Sequence, residues 1–337
     1  MPPKANGPPQ PTKEQMQSAM SEMQHMAMAL QPSPVDPNAP VTLEKILLTC
    51  ASAPGMLASI PESHPSKPEV MEEALKKADI NLDWIGTSEG MTRKNAICLC
   101  WKVNRQRAEL KKTDDELDVP SQQHASACHQ IAMKLLMQAQ MVMPSQGWAA
   151  ASVGVARASA LVANQLWSHE DREALEIMAD ILKGEGLRAP KLRLEVSCPA
   201  SSLAESPMKI NVKLHRDHHG FDGKKAPAAA DPSGTYEAYF VYVISIAQEL
   251  GAPDSLVTVQ PMICKDLKDK TIDLEVSFTA PDKVGSHRIK VLVTTTSTIG
   301  VDLSEEVSFS VTGSSAVVPD VAKLSVTDDD DFPGIKE

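Results

Sequence analysis

The chain has 337 residues, of which 42% are hydrophobic, 23% charged and 4% aromatic, and its formal net charge is −11. That length suits roughly two domains, and that apolar fraction can bury real cores. The acidic balance argues against a protein whose main task is gripping nucleic-acid phosphates. With five Phe, four Trp and three Tyr, the cores must rest on aliphatic residues and the 16 Met. The most apolar long stretch, Ala149 to Leu166, is Ala-rich and carries Arg157, which disfavours a membrane span. The N-terminal MPPKANGPPQPTK has no apolar core, so no signal peptide is expected. Cys50, Cys98, Cys100, Cys128, Cys198 and Cys264 are scattered through hydrophobic segments, which predicts reduced thiols in a cytosolic chain.

The first dozen residues form a Pro/Gly-rich tail. A short helix follows, with Thr12 as N-cap, Gln15 closing a capping box, and an apolar face of Met16, Met20, Met23, Ala27 and Leu30. QPSPVDPNAP (31–40) ends it. Residues 42–53 give a second helix. Ser66-Lys67-Pro68-Glu69 forms a capping box opening a third, to about Asp79. Thr92 and Ser121 are expected to cap helices over 92–110 and 121–142. Gly147-Trp148 begins one ending near Trp167, and Ser168 caps the last, which Gly184 and Gly186 stop.

Near residue 187 the period changes from helical to alternating. Leu192-Leu194-Val196, Met208-Ile210-Val212-Leu214 and Ile272-Leu274-Val276-Phe278 alternate cleanly, as do Val307, Phe309 and Val311. The runs 236–247, 255–265 and 287–296 bring the strands to seven, with a polar loop at 216–234. The expected fold is multidomain, α then β: an all-α helical bundle followed by a seven-stranded immunoglobulin- or fibronectin-like β-sandwich. The boundaries are 1–40 for a flexible Pro- and Met-rich segment with one short helix, 41–186 for the bundle, 187–313 for the sandwich and 314–337 for an acidic tail. From Pro319 onward the tail holds six acids against two bases, so it carries −4 of the −11.

Catalytic signatures are absent. No phosphate-binding loop, GxSxG elbow or HExxH helix is present, and His64-Pro65-Ser66 reads as a loop. Cys98 and Cys100, two apart on a helix, point roughly 160° from each other and cannot ligate one ion together. His124 and Cys128, at i and i+4, share a face, but the reading preferred over zinc is Cys128 as a small buried hydrophobe, with His124 near the helix start. His215, His218 and His219 read as solvated. The expectation is a non-enzyme with no cofactor and no metal. Binding is suggested by the Met-rich helix and by Asp328, Asp329, Asp330 and Asp331, suited to a basic partner segment. Ser325 and Thr327 lie near these acids, as an acid-directed kinase requires.

The order of these parts resembles the Sec-sixty-three (Brl) domain family. In that family a helix beginning Gly-Trp runs to A-Q-M-V-x-Q-x-x-W; here it stands as Gly147-Trp148 and Ser159-Ala160-Leu161-Val162-Ala163-Asn164-Gln165-Leu166-Trp167. The family turn ending F-x-A-P stands as Phe278-Thr279-Ala280-Pro281, followed by Gly285 and His287. Its Y-M-G-x-D strand end stands as Thr298-Ile299-Gly300-Val301-Asp302. The similarity covers residues 41–313. Ala160 and Asn164 replace two family glutamines, and Thr298 replaces the aromatic. Thr295-Thr296 replaces a Ser-Asp, and the segment between bundle and strands is shortened to 168–190.

The resemblance implies one of two settings. One is the cytosolic part of the endoplasmic-reticulum translocation factor, which contacts loops of the protein-conducting channel while an acidic tail meets a basic partner subunit. The other is the C-terminal part of spliceosomal-type helicases. Without a motor, the expectation is a non-catalytic scaffold at the cytosolic face of the endoplasmic reticulum, not inserted in the membrane and with little role for nucleic acid. The alternatives are a nuclear helicase-accessory module or a lineage-specific structural subunit of a large assembly. The contacts implied by the first setting are Asp254, Ser255, Asp282, Lys283, Ile299 and Gly300, with the acidic run of the tail.

Overall fold

The computed structural model describes residues 12–313 except 114–115, 186, 188–189 and 218–236. The tail before Thr12, Gly186, the loop bearing His218 and His219, and the C-terminal tail with Ser325, Thr327 and Asp328 to Asp331 lie outside the described residues. The described helices are α1 (Lys13–Ala29), α2 (Leu43–Ala51), α3 (Pro54–Ser59), α4 (Pro68–Lys77), α5 (Gly90–Asn104), α6 (Ala108–Lys111), α7 (Val119–Val142), α8 (Ala149–Asn164) and α9 (Arg172–Gly184). Two of them depart from the expected set. Helix α3 is too short for its period to show, and the helix expected over 92–110 breaks after Asn104 into α5 and α6.

The caps shift for local reasons. Asp118, not Ser121, caps α7, its carboxylate accepting from the Ser121 amide at 2.8 Å. Asp171 caps α9, accepting from the Glu173 and Ala174 amides. Helix α4 has Pro68 in its first turn but no side-chain cap, because the Ser66 hydroxyl is engaged with His124 at 2.6 Å. In α1 the buried stripe is Glu22, Met26 and Leu30, while Met16 and Met20 are exposed. The helix docks by its second half, with the Glu22 carboxylate accepting from the Gly55 amide.

The strands are β1 (Leu192–Ser197), β2 (Ser201–Leu203), β3 (Pro207–Arg216), β4 (Glu237–Ser245), β5 (Ser255–Cys264), β6 (Thr271–Thr279), β7 (Gly285–Thr294) and β8 (Leu303–Thr312). The expected seven-stranded immunoglobulin-like sandwich following a separate bundle is not what forms. Eight described strands divide into a three-stranded sheet, β1-β3-β6, and a five-stranded one, β2-β8-β7-β4-β5, curled as a half-barrel. The second sheet is mixed, because β2 runs parallel to β8 while its other pairs are antiparallel. Only three residues long, β2 shows no alternation that a sequence could reveal.

Strand β4 shows why a free-standing sandwich fails. Tyr239, Val241 and Val243 face the three-stranded sheet in one core, while Phe240, Tyr242 and Ile244 face the helices in another. A strand buried on both faces reads as a continuous apolar run. Helix α8 supplies the second cover: Ala149 and Ala156 pack on Tyr242, Ile244, Leu256 and Leu292. The molecule is therefore layered sheet, sheet, helix, with the main bundle core beyond α8.

Candidate functional site

Three places concentrate polar chemistry or exposure. The first is the seam where α8 crosses the five-stranded sheet. Ala149 and Ala156 let the helix lie close on the strands, and on another side a Cβ on Gly154 would lie 2.9 Å from Val41 Cβ and 3.0 Å from its carbonyl oxygen, so glycine admits the segment before α2. The 16 residues of α8 span roughly 24 Å, its start pinned to a strand and its end to the connection that follows another. At the N-terminal end the Leu256 amide donates to Gly147 O at 2.8 Å, and Trp148 forms an isolated antiparallel bridge with Ser255. At the other end Asn164 Nδ2 donates to Ser297 O at 3.0 Å.

Between these ends, Arg157 Nε donates to Asp302 Oδ2 at 2.6 Å, and Thr294 Oγ1 donates to Asp302 Oδ1 at 2.5 Å. Asp302 thus ties the bundle to β7. Gly300 has φ 76°, which favours glycine, and a Cβ there would lie 2.7 Å from Leu175 of α9. Ile299 is 4% exposed and belongs to the small core that α8 and α9 close. Trp167 lies under the Arg107 guanidinium, 4.1 Å from its ring centre. Histidines brace the same region: His129 donates to Val162 O and His169 to Arg157 O, both at 2.8 Å. Burial holds both imidazoles below their ordinary pKa.

The second place is the end of the sheet where the β4–β5 loop meets the β6–β7 turn. Gln248 Nε2 donates to Ser286 O at 2.7 Å, and Glu249 and Lys283 approach to 3.9 Å. Leu250 stands fully exposed at 107%, and Val284 is 59% exposed. Asp282 and Lys283 are exposed in the same turn. Asp254 is half-buried, its carboxylate accepting from the Ala247 amide at 2.8 Å and its own amide donating to Asn38 at 2.6 Å.

The six described contact candidates therefore separate. Asp254, Ser255, Asp282 and Lys283 lie at one end of the sheet, with Ser255 pinned to the start of α8. Ile299 and Gly300 lie at the far end, where Ile299 is buried in the junction and Gly300 is exposed beside Leu175. Leu250 and Val284 went unnoticed in the sequence because a single apolar residue in a loop has no period.

The third place is inside the bundle. Cys98 of α5 and His124 and Cys128 of α7 are all fully buried, with their ligand atoms within 4.8 Å of one another. Asn95, one turn before Cys98, donates through Nδ2 to Ala51 O at 3.3 Å, which turns Oδ1 into the cluster. Oδ1 accepts from His124 Nε2 at 2.9 Å and from the Cys128 thiol at 3.5 Å. His124 Nδ1 then accepts from the Ser66 hydroxyl. Hydrogen bonding from Cys128, opposed by burial, holds the Cys98 thiol below its ordinary range, and burial pushes Cys128 up. The sequence did link His124 to Cys128, but joining Cys98 required knowing that α5 and α7 are packed together. Cys100 faces elsewhere, toward Asn104, and burial pushes it up to about 12.

No family model matches the chain, and neither does any curated protein. Among solved structures, a CARDB domain from Pyrococcus furiosus in complex with di-metal ions is 15% identical, with a TM-score of 0.24; the match covers 36% of this chain and 93% of that one. The DNA glycosylase AlkC of Pseudomonas fluorescens, bound to DNA containing an abasic site analog, is 11% identical with a TM-score of 0.23, over 90% of this chain and 99% of that one. With overlaps this low, neither likeness bears on the activity of this chain.

Proposed function

We propose that the chain is a non-catalytic interaction subunit of the kind that its resemblance to the translocation-factor domain implies, with the cytosolic loops of a protein-conducting channel as its partner. The observation that carries this reading is the exposed loop end, where Leu250 and Val284 stand free among Glu249, Asp282 and Lys283. Two apolar side chains ringed by mixed charge match the anatomy of a small protein-binding patch. The seam supports the reading as well. Trp148, Asn164, Trp167, Gly300 and Asp302, all quoted from the resemblance, converge where α8 and α9 meet the strands. Their job there is to hold bundle and sheets as one body, which suits a scaffold.

Co-purification from solubilised native membranes at low salt tests the proposal. Channel subunits should be retained by the intact chain, and retention should fall when the tail is removed after Val318. Recovery of a motor protein or RNA in their place would overturn it in favour of the helicase-accessory role.

A further inference from the structure

We propose that Cys98, His124 and Cys128 bind one divalent ion of the zinc class, with Asn95 Oδ1 as the fourth donor. A tetrahedral ion held at about 2.3 Å from sulfur and about 2.0 Å from nitrogen sets its donors roughly 3.3–3.8 Å apart. The three ligand atoms already lie within 4.8 Å, so side-chain shifts of about 1 Å bring them to that spacing. The donors project from two long helices whose packing belongs to the main core, which fixes them without dependence on a loop.

Charge and chemistry favour this ion. On binding, the thiols of Cys98 and Cys128 each release a proton, and the two thiolates neutralise a 2+ ion. The site then carries no net charge, as a fully buried position requires. Two sulfurs, one imidazole nitrogen and a carbonyl oxygen form a soft, four-donor set suited to tetrahedral zinc.

The surrounding residues prepare the imidazole. As the ion takes Nε2, the His124 proton moves to Nδ1, and the Ser66 hydroxyl, 2.6 Å away, changes from donor to acceptor. Ser66 is held in place because the Lys67 amide donates to Ser121 Oγ at 2.8 Å. Asn95 is likewise anchored through its amide nitrogen, leaving Oδ1 directed at the cluster.

Because these donors are closed off from solvent, the ion must enter during folding, which sets the experiment. The full chain, purified without chelators, is assayed for metal by mass spectrometry. It is then unfolded and refolded with cobalt(II), whose thiolate charge-transfer absorption reports sulfur ligation directly. The expected result is about one zinc per chain, and a charge-transfer band after refolding with cobalt. Cys128→Ser should lose both, whereas Cys100→Ser, whose thiol faces away, should keep both. Wild-type zinc below about a tenth of an equivalent together with no cobalt band would overturn the proposal. So would zinc retained undiminished in folded Cys128→Ser. Should that variant not fold, the wild-type zinc content and cobalt spectrum decide the matter. This outcome is independent of the interaction role.

Discussion

Among the described residues each half of the molecule buries a polar cluster, and the two are built differently. In the strands, Arg216 donates from Nε to Glu237 Oε2 at 2.8 Å and from Nη2 to Oε1 at 2.9 Å, while Nη1 reaches the carbonyls of Leu267 and Asp269. Tyr239 adds its hydroxyl to the same carboxylate at 2.8 Å. Every polar group there points at a fixed partner, and the pair is closed. In the bundle, Ser66, His124, Asn95 and Cys128 form a hydrogen-bonded chain, and the Cys98 and Cys128 sulfurs and the His124 ring nitrogen gather within 4.8 Å of one another. A closed ion pair resists change, whereas two thiols and an imidazole gathered at one centre suit the exchange of protons for the cation proposed above.

The contrast can be broken most severely in the strands. Glu237→Ala removes the carboxylate that faces the buried Arg216 guanidinium, which should cost about 3–5 kcal/mol in chemical denaturation. A loss under about 1 kcal/mol would mean that water reaches the pair. The corresponding lesion in the bundle is milder. Ser66→Ala removes one neutral partner from His124 and should cost about 1–3 kcal/mol. At the seam, Gly300→Ala combines a left-handed backbone with contact on Leu175, for about 1–2 kcal/mol.

Acid should distinguish the halves more gently. His129 and His169 have folded pKa values below the ordinary 6.5, so below pH 6.5 the unfolded chain binds protons that the folded chain refuses. Their contribution is fully present above pH 6.5 and is lost as pH falls through their folded pKa values. The denaturation midpoint should therefore decline as pH falls below 6.5, and His129→Gln should flatten the slope. The smallest effect belongs to the loop end: Leu250→Asp with Val284→Asp should leave stability within about 0.5 kcal/mol of wild type, since both side chains are exposed.

How much of this was legible varies with range along the chain. Strand alternation placed β1, β3, β6 and β8 because each presents one face to a single core, and Gly147-Trp148 correctly marked the start of α8. The parallel pairing of β2 with β8 and the burial of both faces of β4 depend on contacts more than a hundred residues and tens of residues apart, respectively. No local period encodes them. The buried face of α1 differs from the expected one because five methionines spread around the helix blur its apolar side, while one buried position is taken by Glu22, satisfied by the Gly55 amide. The thiol–imidazole cluster was half legible: i, i+4 spacing joined His124 to Cys128, but Cys98 comes from another helix.

The central claim is that the loop end around Leu250 meets a channel partner. A photo-cross-linking residue placed at position 250 in cells tests it most directly, with position 137 of α7, an exposed methionine on the helical half, as the control. The account predicts adducts with a channel subunit from position 250 and none from 137. Equal yields from both positions, or adducts from 250 to RNA or a motor protein, would contradict it.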